Sequence, residues 1–228
     1  MGWFRLWVVT AGALLSATTA RATLTSININ STGGGFTSGA LETDWSLTSP
    51  TAVVTTPFVT EGSPTGFPFT SWGPDDLPTY GWISPQQSYT TSSADAVGIW
   101  TFSTTFSLAG DNPATANISF KIAVDNSVAN NSVTLNGHVL TITGLSAAGF
   151  DLSTATFTIG PGDFVAGTNT LSFAVTNGTG NSGNPVGLLV DFTSATVDTA
   201  TPEPGTALLL AAGFAGMIAW RRRNYCSR

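Results

Sequence analysis

The chain has 228 residues, of which 9 % are charged, and it contains one cysteine and one histidine. Its net charge of −6 at pH 7 excludes a strongly basic nucleic-acid-binding protein, because phosphate contacts require many Lys and Arg side chains. The single cysteine and single histidine exclude a disulfide-linked scaffold and any zinc site built on several such ligands.

The first 22 residues have the three parts of a secretory signal peptide. Arg5 precedes an apolar run over 6–15, and Ala20-Arg21-Ala22 supplies the small residues of a cleavage site. We predict a signal helix over 1–22 that signal peptidase removes by cleaving after Ala22. The alternative is a membrane-spanning N-terminal helix, which needs about 20 apolar residues, more than this run provides.

Residues 23–200 form the predicted folded domain, and their charge is strongly unbalanced. This segment contains one basic residue, Lys121, and twelve acidic residues, a net charge of −11 that the basic ends of the chain partly offset. Because such a segment repels phosphate backbones, we expect no nucleic-acid partner. A composition poor in Lys and rich in Thr, Ser, Asn and Gly is typical of a domain that works outside the cytoplasm.

The first half of this domain is rich in proline. Seven of the 12 prolines lie within residues 50–85, where polar and apolar residues alternate poorly. We predict strands at about 24–30 and 51–56, and a Pro-rich loop section at about 50–87 in which the loops run from about 62 to 87. Aromatic residues are unusual in a disordered segment, so we expect this section to pack on the rest of the domain. Its aromatic residues include Trp72, Tyr80, Trp82 and Tyr89.

The second half has the pattern of β-strands. Over 117–124, apolar residues occupy the even positions and polar residues mostly the odd ones, a period of two that places one face on a core. Asn136-Gly137 between two short apolar runs is typical of a type I′ hairpin. These strands, separated by Gly, Asn and Pro turns, predict an all-β sandwich or barrel. The other predicted strands cover about 100–108, 133–135, 138–142, 157–159, 171–175 and 187–192.

A second pattern covers roughly 97–197. The run Ala123-Val124-Asp125-Asn126, followed by Val133-Thr134-Leu135-Asn136-Gly137, resembles the strand–loop–strand hairpin of galactose-binding-like jelly-roll domains. The segments 167–171 and 186–190 are similar to the closing strands of the same family. The resemblance implies a jelly-roll sandwich. It implies no particular activity, because one fold hosts many functions.

The C-terminus begins with Pro202-Glu203-Pro204, which ends the folded domain because proline cannot continue a strand. An apolar run over 206–220 follows, predicted to be a short transmembrane helix, and Arg221-Arg222-Arg223 come directly after it. In this order the three parts resemble the PEP-CTERM sorting signal of exported bacterial proteins. We assign this segment to 201–224, with a tail at 225–228.

The resemblance to PEP-CTERM proteins implies a processing partner and a location. It implies recognition by an exosortase, an integral-membrane cysteine protease, with Pro202, Glu203 and Pro204 as the recognition motif. It also implies a Gram-negative bacterium that makes an exopolysaccharide matrix. The arginines would keep the end of the helix on the cytoplasmic side, so the precursor is expected in the inner membrane with its body outside. The alternative is a plain single-pass anchor without processing.

Two kinds of ligand site can be suggested from the residues of the body. Trp72, Tyr80 and Trp82 could stack on sugar rings, although packing in the core is the more common role of such side chains.

Calcium is the candidate cofactor, because oxygen ligands from Asp, Asn and backbone carbonyls suit it. Asp125, Asn126 and Asp191 are the suggested contributors. The alternative is that these Asp and Asn residues only form turns.

The signs of catalysis are weak. His138 is the only histidine, it follows a hairpin turn, and the chain has no G-x-S-x-G motif to accompany it. Lys121 lies on the polar face of its predicted strand, where a Schiff-base lysine would not be desolvated. Asp75-Asp76 is the best pair of carboxylates for glycoside cleavage, with a solvated loop as the alternative.

We therefore expect an exported, non-enzymatic β-sandwich protein of the bacterial envelope or extracellular matrix that binds exopolysaccharide. The alternatives are a glycosidase or lyase that acts on such a polysaccharide, and a membrane-anchored surface protein without a ligand.

Overall fold

The computed structural model of the chain describes residues 22–61, 66–179, 184–201, 210–218 and 221. Residues 23–200 form one compact unit, and the two ends of the chain, 1–22 and 201–228, are grouped as a second.

The predicted ends of the chain are described only in part. Residues 210–218 are α-helical, within the predicted apolar helix 206–220, and Arg221 is helical as well. Across the described residues, no helix combines the length and the apolar character needed to cross a membrane. Some residues of the predicted signals lie outside the described part, namely 1–21, Pro202, Glu203, Pro204, Arg222 and Arg223.

The first half of the domain has short strands, and the second half has longer ones. The short strands are β1 (Leu24–Ser26), β2 (Trp45–Thr48), β3 (Val54–Thr55), β4 (Phe58–Val59) and β5 (Ile83–Ser84). The others are β6 (Gly98–Ser107), β7 (Asp111–Asp125), β8 (Val133–Leu135), β9 (His138–Leu140), β10 (Phe157–Ile159), β11 (Thr168–Asn177) and β12 (Gly187–Thr199). A single turn of 3-10 helix covers Leu145–Ala147.

The strands form two antiparallel sheets. Sheet A has the order β10-β7-β12-β5-β4, with β1 also paired to β12, and sheet B has the order β3-β2-β6-β11-β8-β9. Apolar side chains from both sheets share one core, in which the ring centroids of Phe120 on β7 and Phe173 on β11 lie 5.4 Å apart. This confirms the predicted all-β antiparallel sandwich.

Strands β7 and β12 form the longest ladder of the domain. Asp125 pairs with Gly187 at one end, and Asp111 pairs with Thr199 at the other, with irregular register after Phe192 and after Thr196. The edge strand β1 extends this pairing, because the backbone N–H of Thr199 donates to the carbonyl of Thr23 at 2.9 Å.

The outer face of sheet A carries a second hydrophobic cluster. Successive side chains of a strand point to opposite faces, so Ile122 and Val124 enter the main core while Ala123 points outward. On β12, Leu189 points outward in the same way. The aromatic residues of the Pro-rich section cover these two side chains, with Trp72, Trp82 and Tyr89 all buried. The section therefore packs on the sandwich, as its aromatic residues predict.

The predicted and observed strands differ mainly in the first half. The expected strand at 24–30 ends at Ser26, and the expected strand at 51–56 is reduced to Val54–Thr55. No strand is predicted at the positions of β2 and β4, and β5 lies inside the predicted loop section. These strands have two to four residues, too few for alternation to be recognised.

Candidate functional site

Two stacked tryptophans occupy the outer face of sheet A. The ring centroids of Trp72 and Trp82 lie 4.3 Å apart, and the rings are nearly parallel, at 24°. They fit only because β12 has glycine at position 187: a Cβ atom there would lie 2.6 Å from Cη2 of Trp72 and 3.1 Å from Cε3 of Trp82. The small residue is thus a requirement of the aromatic stack.

Hydrogen bonds fix both indoles. Nε1 of Trp72 donates to Oδ2 of Asp125 at 2.7 Å, and Nε1 of Trp82 donates to the carbonyl of Gly73 at 2.8 Å. Asp125 is the last residue of β7 and is 4 % exposed. Its burial raises the pKa of its carboxyl to about 6, with a smaller upward contribution from Asp95, while the bond from Trp72 lowers the pKa.

A cleft of about 130 Å³ opens beside Asp125. Its polar lining consists of one hydroxyl, one carboxylate and two amides, and its apolar lining of aromatic and proline rings. The polar residues are Ser71, Asp125, Asn126 and Asn184. The apolar residues are Phe67, Pro68, Trp72, Phe150 and Pro185.

The amides of the cleft belong to one hydrogen-bonded network. Nδ2 of Asn126 donates to Oδ1 of Asp125 at 2.6 Å and to Oδ1 of Asn184 at 3.5 Å, and the Asp125–Asn126 peptide bond is cis. Nδ2 of Asn184 donates to Oδ1 of Asn177 and to the carbonyl of Gly178. The network holds the loop after β11 against the end of β7.

Asp95 lies near the cleft and holds three neighbouring residues by hydrogen bonds. Its carboxylate accepts hydrogen bonds from Nε2 of Gln86, from the hydroxyl of Tyr89 and from the backbone N–H of Val186. Burial, together with this carboxylate, raises the pKa of the Tyr89 hydroxyl far above its usual range. Tyr89 therefore remains neutral and acts as a hydrogen-bond donor.

The three suggested sugar-stacking residues differ in position. Trp72 is 3 % exposed and Trp82 is fully buried, so neither presents an open ring face, which favours the packing alternative for both. Tyr80 is half-buried at the edge of the same cluster. Its burial raises its pKa, and the carboxylates of Asp76, Asp191 and Asp75 raise it further.

The suggested calcium ligands do not lie together. Asp125 and Asn126 both line the cleft, but Asp191 pairs with Lys121, four residues further along β12 from the partner of Asp125. At roughly 3.3 Å per residue, the separation is about 13 Å. In the part of the chain that the structure describes, no three His, Cys, Asp or Glu residues are grouped so as to hold a metal ion. Calcium binding stays a prediction.

Two other carboxyls with raised pKa values accept hydrogen bonds from backbone N–H groups. Burial raises the pKa of Glu42 to about 7, and its two oxygens accept from the backbone N–H groups of Gly33 and Asp44. Burial likewise raises the pKa of Asp75 to about 6, and its Oδ1 accepts from the backbone N–H of Trp82.

Of the remaining candidates for catalysis, two are exposed and one is half-buried. Asp76 is exposed, and it closes a short turn in which its carbonyl accepts from the backbone N–H groups of Thr79 and Tyr80. His138 is exposed, with Nδ1 lying 3.9 Å from Oδ1 of Asp163. Lys121 is half-buried on the outer face of sheet A.

Several residues of the cleft could not be recognised from the sequence. Phe67, Phe150 and Asn184 come from three separate loops, and no motif connects them. Two sequence predictions point to this place, namely Trp72 as a sugar-stacking residue and Asp125-Asn126 as part of a calcium site.

The comparisons with known proteins concern the C-terminus. Residues 200–223 match the family described as the PEP-CTERM protein-sorting motif. The motif implies an exported protein, anchored in the membrane as a precursor, with exosortase as its processing partner. No curated protein and no solved structure matches the chain. The resemblance of 97–197 to galactose-binding-like domains therefore stays a prediction.

Proposed function

We propose that the chain is a non-enzymatic protein of the bacterial envelope or extracellular matrix, and that its sandwich binds exopolysaccharide in the cleft beside Asp125. The lining of this cleft is the observation that carries the proposal. Carbohydrate sites combine ring faces, which cover the apolar side of a sugar, with a few polar groups that meet its hydroxyls. The aromatic residues Phe67 and Phe150 line the cleft, together with Asp125 and two Asn residues that supply the polar groups.

The position of the carboxyls supports binding rather than hydrolysis. Glycosidases use two carboxyl groups about 5–10 Å apart, one on each side of the scissile bond. Among the described residues that line the cleft, Asp125 is the one carboxyl. Its two oxygens accept hydrogen bonds from Trp72 and Asn126, and burial of the carboxyl raises its pKa, so the raised pKa needs no catalytic explanation.

The two ends of the chain supply the route of export in this proposal. Signal peptidase removes 1–22, and exosortase cleaves near Pro202-Glu203-Pro204. Until then the apolar segment 206–220 holds the precursor in the inner membrane, with residues 23–200 on the outer side. The match of residues 200–223 to the sorting motif supports this route.

Affinity electrophoresis of the full chain tests the binding function. The gels contain matrix polysaccharide extracted from producing cells, and the detergent carries no sugar headgroup. We expect retardation of the wild-type chain and about fivefold weaker retardation of Phe150→Ala, because a lost aromatic contact costs ~1 kcal/mol. Val165→Ala is the matched control, since Val165 is 46 % exposed and Phe150 is 41 % exposed.

Two results would count against the proposal. Unretarded migration at every polysaccharide concentration would leave the surface protein without a ligand. Release of new reducing ends or unsaturated sugars during incubation would support the glycosidase or lyase instead.

A further inference from the structure

We infer that the cleft recognises an uncharged sugar residue and that it discriminates against uronic acids. This inference rests on the polysaccharide-binding function proposed above and specifies the chemical class of the ligand.

The side-chain N–H donors at the cleft are already used by the protein. An Asn amide has two N–H donors, and both donors of Asn126 and both donors of Asn184 have protein acceptors. The indole N–H of Trp72 is bonded to Asp125. A ligand in the cleft therefore meets few available amide or indole donors, the least firmly used being the Asn126 N–H whose acceptor on Asn184 is 3.5 Å away.

The hydrogen-bonding capacity that remains is mainly that of acceptors. The ionised carboxylate of Asp125 has about four lone-pair sites, of which Trp72 and Asn126 use two. Oδ1 of Asn126 accepts one bond, from Gly178, and Oδ1 of Asn184 accepts one, from Asn126. Each of these amide oxygens has a second lone pair. The cleft thus suits a ligand that brings O–H donors, as a sugar does.

The charge around the cleft disfavours an anionic ligand. A uronate, sulfate or phosphate group would meet the carboxylate of Asp125, with the carboxylate of Asp95 close enough to raise the pKa of Asp125. The one basic residue of the domain, Lys121, lies four residues away along β7. Like charges in contact are repulsive, and no cation of the lining compensates them.

The size of the cleft limits how many sugar rings can lie inside it. A volume of about 130 Å³ is small beside the 300–1,000 Å³ of typical ligand pockets. It has room for about one sugar ring, and any neighbouring rings of the same polysaccharide would lie outside it. The aromatic residues Phe67 and Phe150 line the space that such a ring would occupy.

The same oxygen acceptors could also bind a cation, but their arrangement does not suit calcium. Calcium prefers six to eight oxygen ligands and more than one carboxylate is common in its sites. Here one carboxylate lines the cleft, and an N–H donor already points at each of its oxygens. A sugar hydroxyl needs only the lone pairs that remain.

The test is displacement of the full chain from immobilised matrix polysaccharide. One competitor is the neutral fraction of a partial hydrolysate of that polysaccharide. The matched competitor is the same fraction after oxidation of its primary hydroxyls to carboxylates, so that the rings are the same and only the charge differs. We expect the neutral fraction to displace the chain at a concentration at least tenfold lower.

A variant that adds a positive charge to the cleft tests whether the charge of the cleft itself, rather than the charge of the whole domain, repels the oxidised fraction. Ser71 is exposed and lines the cleft, so Ser71→Lys places a cation there without disturbing the core. We expect this variant to bind the oxidised fraction at least fivefold more tightly than the wild type does. Thr170→Lys, exposed on β11 of sheet B, adds the same charge elsewhere and is expected to have no such effect.

The outcomes distinguish this inference from the proposed function. If the polysaccharide retains the chain and both fractions displace it equally, uncharged-sugar recognition is wrong and the binding function stands. Retention that a chelator abolishes and added calcium restores would also overturn the inference, in favour of a metal-bridged ligand. If the chain is not retained at all, the proposed function fails as well.

Discussion

Nε1 of Trp72 donates a 2.7 Å hydrogen bond to Oδ2 of Asp125, and this bond ties the Pro-rich section to the end of β7. The bond joins two residues 53 positions apart in the sequence. It places an aromatic ring at the wall of the cleft and orients the carboxylate that lies there. The aromatic cluster on the outer face of sheet A is therefore linked to the candidate site by this hydrogen bond.

Replacing the indole of Trp72 tests the strength of this bond. A hydrogen bond to a charged group contributes about 1.5–3 kcal/mol, against about 0.5–1.5 kcal/mol for a neutral pair. We expect Trp72→Phe to lower the free energy of unfolding by about 1 kcal/mol more than Trp100→Phe, whose indole donates to the carbonyl of Ala96. Urea unfolding of the processed protein at pH 7.5 measures both. If both variants lose the same free energy of unfolding, the charge of Asp125 does not strengthen its hydrogen bond with Trp72.

The stacked tryptophans also predict a strict requirement for glycine at position 187. In Gly187→Ala the new Cβ lies 2.6 Å from Trp72, so the rings or the strand must move. Overpacking of this kind costs about 1–3 kcal/mol. Gly149→Ala is the control, because its Cβ has no neighbour within 4 Å, and we expect it to change stability by less than about 0.5 kcal/mol. An unchanged thermal midpoint for Gly187→Ala would contradict the close contact.

The stability of the domain should fall as the pH rises from about 4.5 to 7.5. Burial raises the pKa of Glu42 to about 7 and those of Asp75 and Asp125 to about 6, above their values of 4.5 and 3.8 in an unfolded chain. Between these limits the folded state binds more protons than the unfolded state, so the free energy of unfolding decreases as protons are lost. Urea midpoints at pH 5.0 and 7.5 test the sign. A higher midpoint at pH 7.5 would contradict it, and Glu42→Gln should flatten the profile near pH 7.

Thr32 joins the Pro-rich section to β12 through its hydroxyl. Oγ1 donates to the carbonyl of Gly81 at 2.7 Å and accepts from the backbone N–H of Val190 at 2.9 Å. Thr32→Val keeps the shape but leaves both groups without this partner, at a cost of about 1–3 kcal/mol for each unsatisfied group. Hydrogen exchange at the Val190 amide should accelerate accordingly. Thr176→Val, exposed on β11, is expected to be nearly neutral and serves as the control.

The strands of the second half could be predicted because their burial alternates over many residues. Ile118, Phe120 and Ile122 are fully buried on β7, as their even positions predict. The Asn136-Gly137 turn could also be predicted, and the structure has positive φ angles of 55° and 81° at these residues. Local chemistry decides such features, so one short stretch of sequence is sufficient to predict them.

The candidate site depends on contacts that no local pattern encodes. Trp72, Phe150 and Asn184 meet at the end of β7 only after three loops have folded on sheet A. The burial of Trp72 and Trp82 depends on Gly187, which lies more than 100 residues further along the chain. The sequence could therefore identify the aromatic residues as important, but could not decide between a binding face and a packed cluster.

The paired strands β7 and β12 determine which residues lie at the two opposite ends of the ladder. Gly187 and Asp125, beside the cleft, mark one pole, and Thr199 and Asp111 mark the other. The 15 residues of β7 span on the order of 45 Å at about 3.3 Å per residue. Thr23, where the predicted signal-peptide cleavage leaves the new N-terminus, lies beside Thr199 at that second pole. Within the sandwich, the cleft and the last residues of β12 therefore lie at opposite ends of the longest ladder.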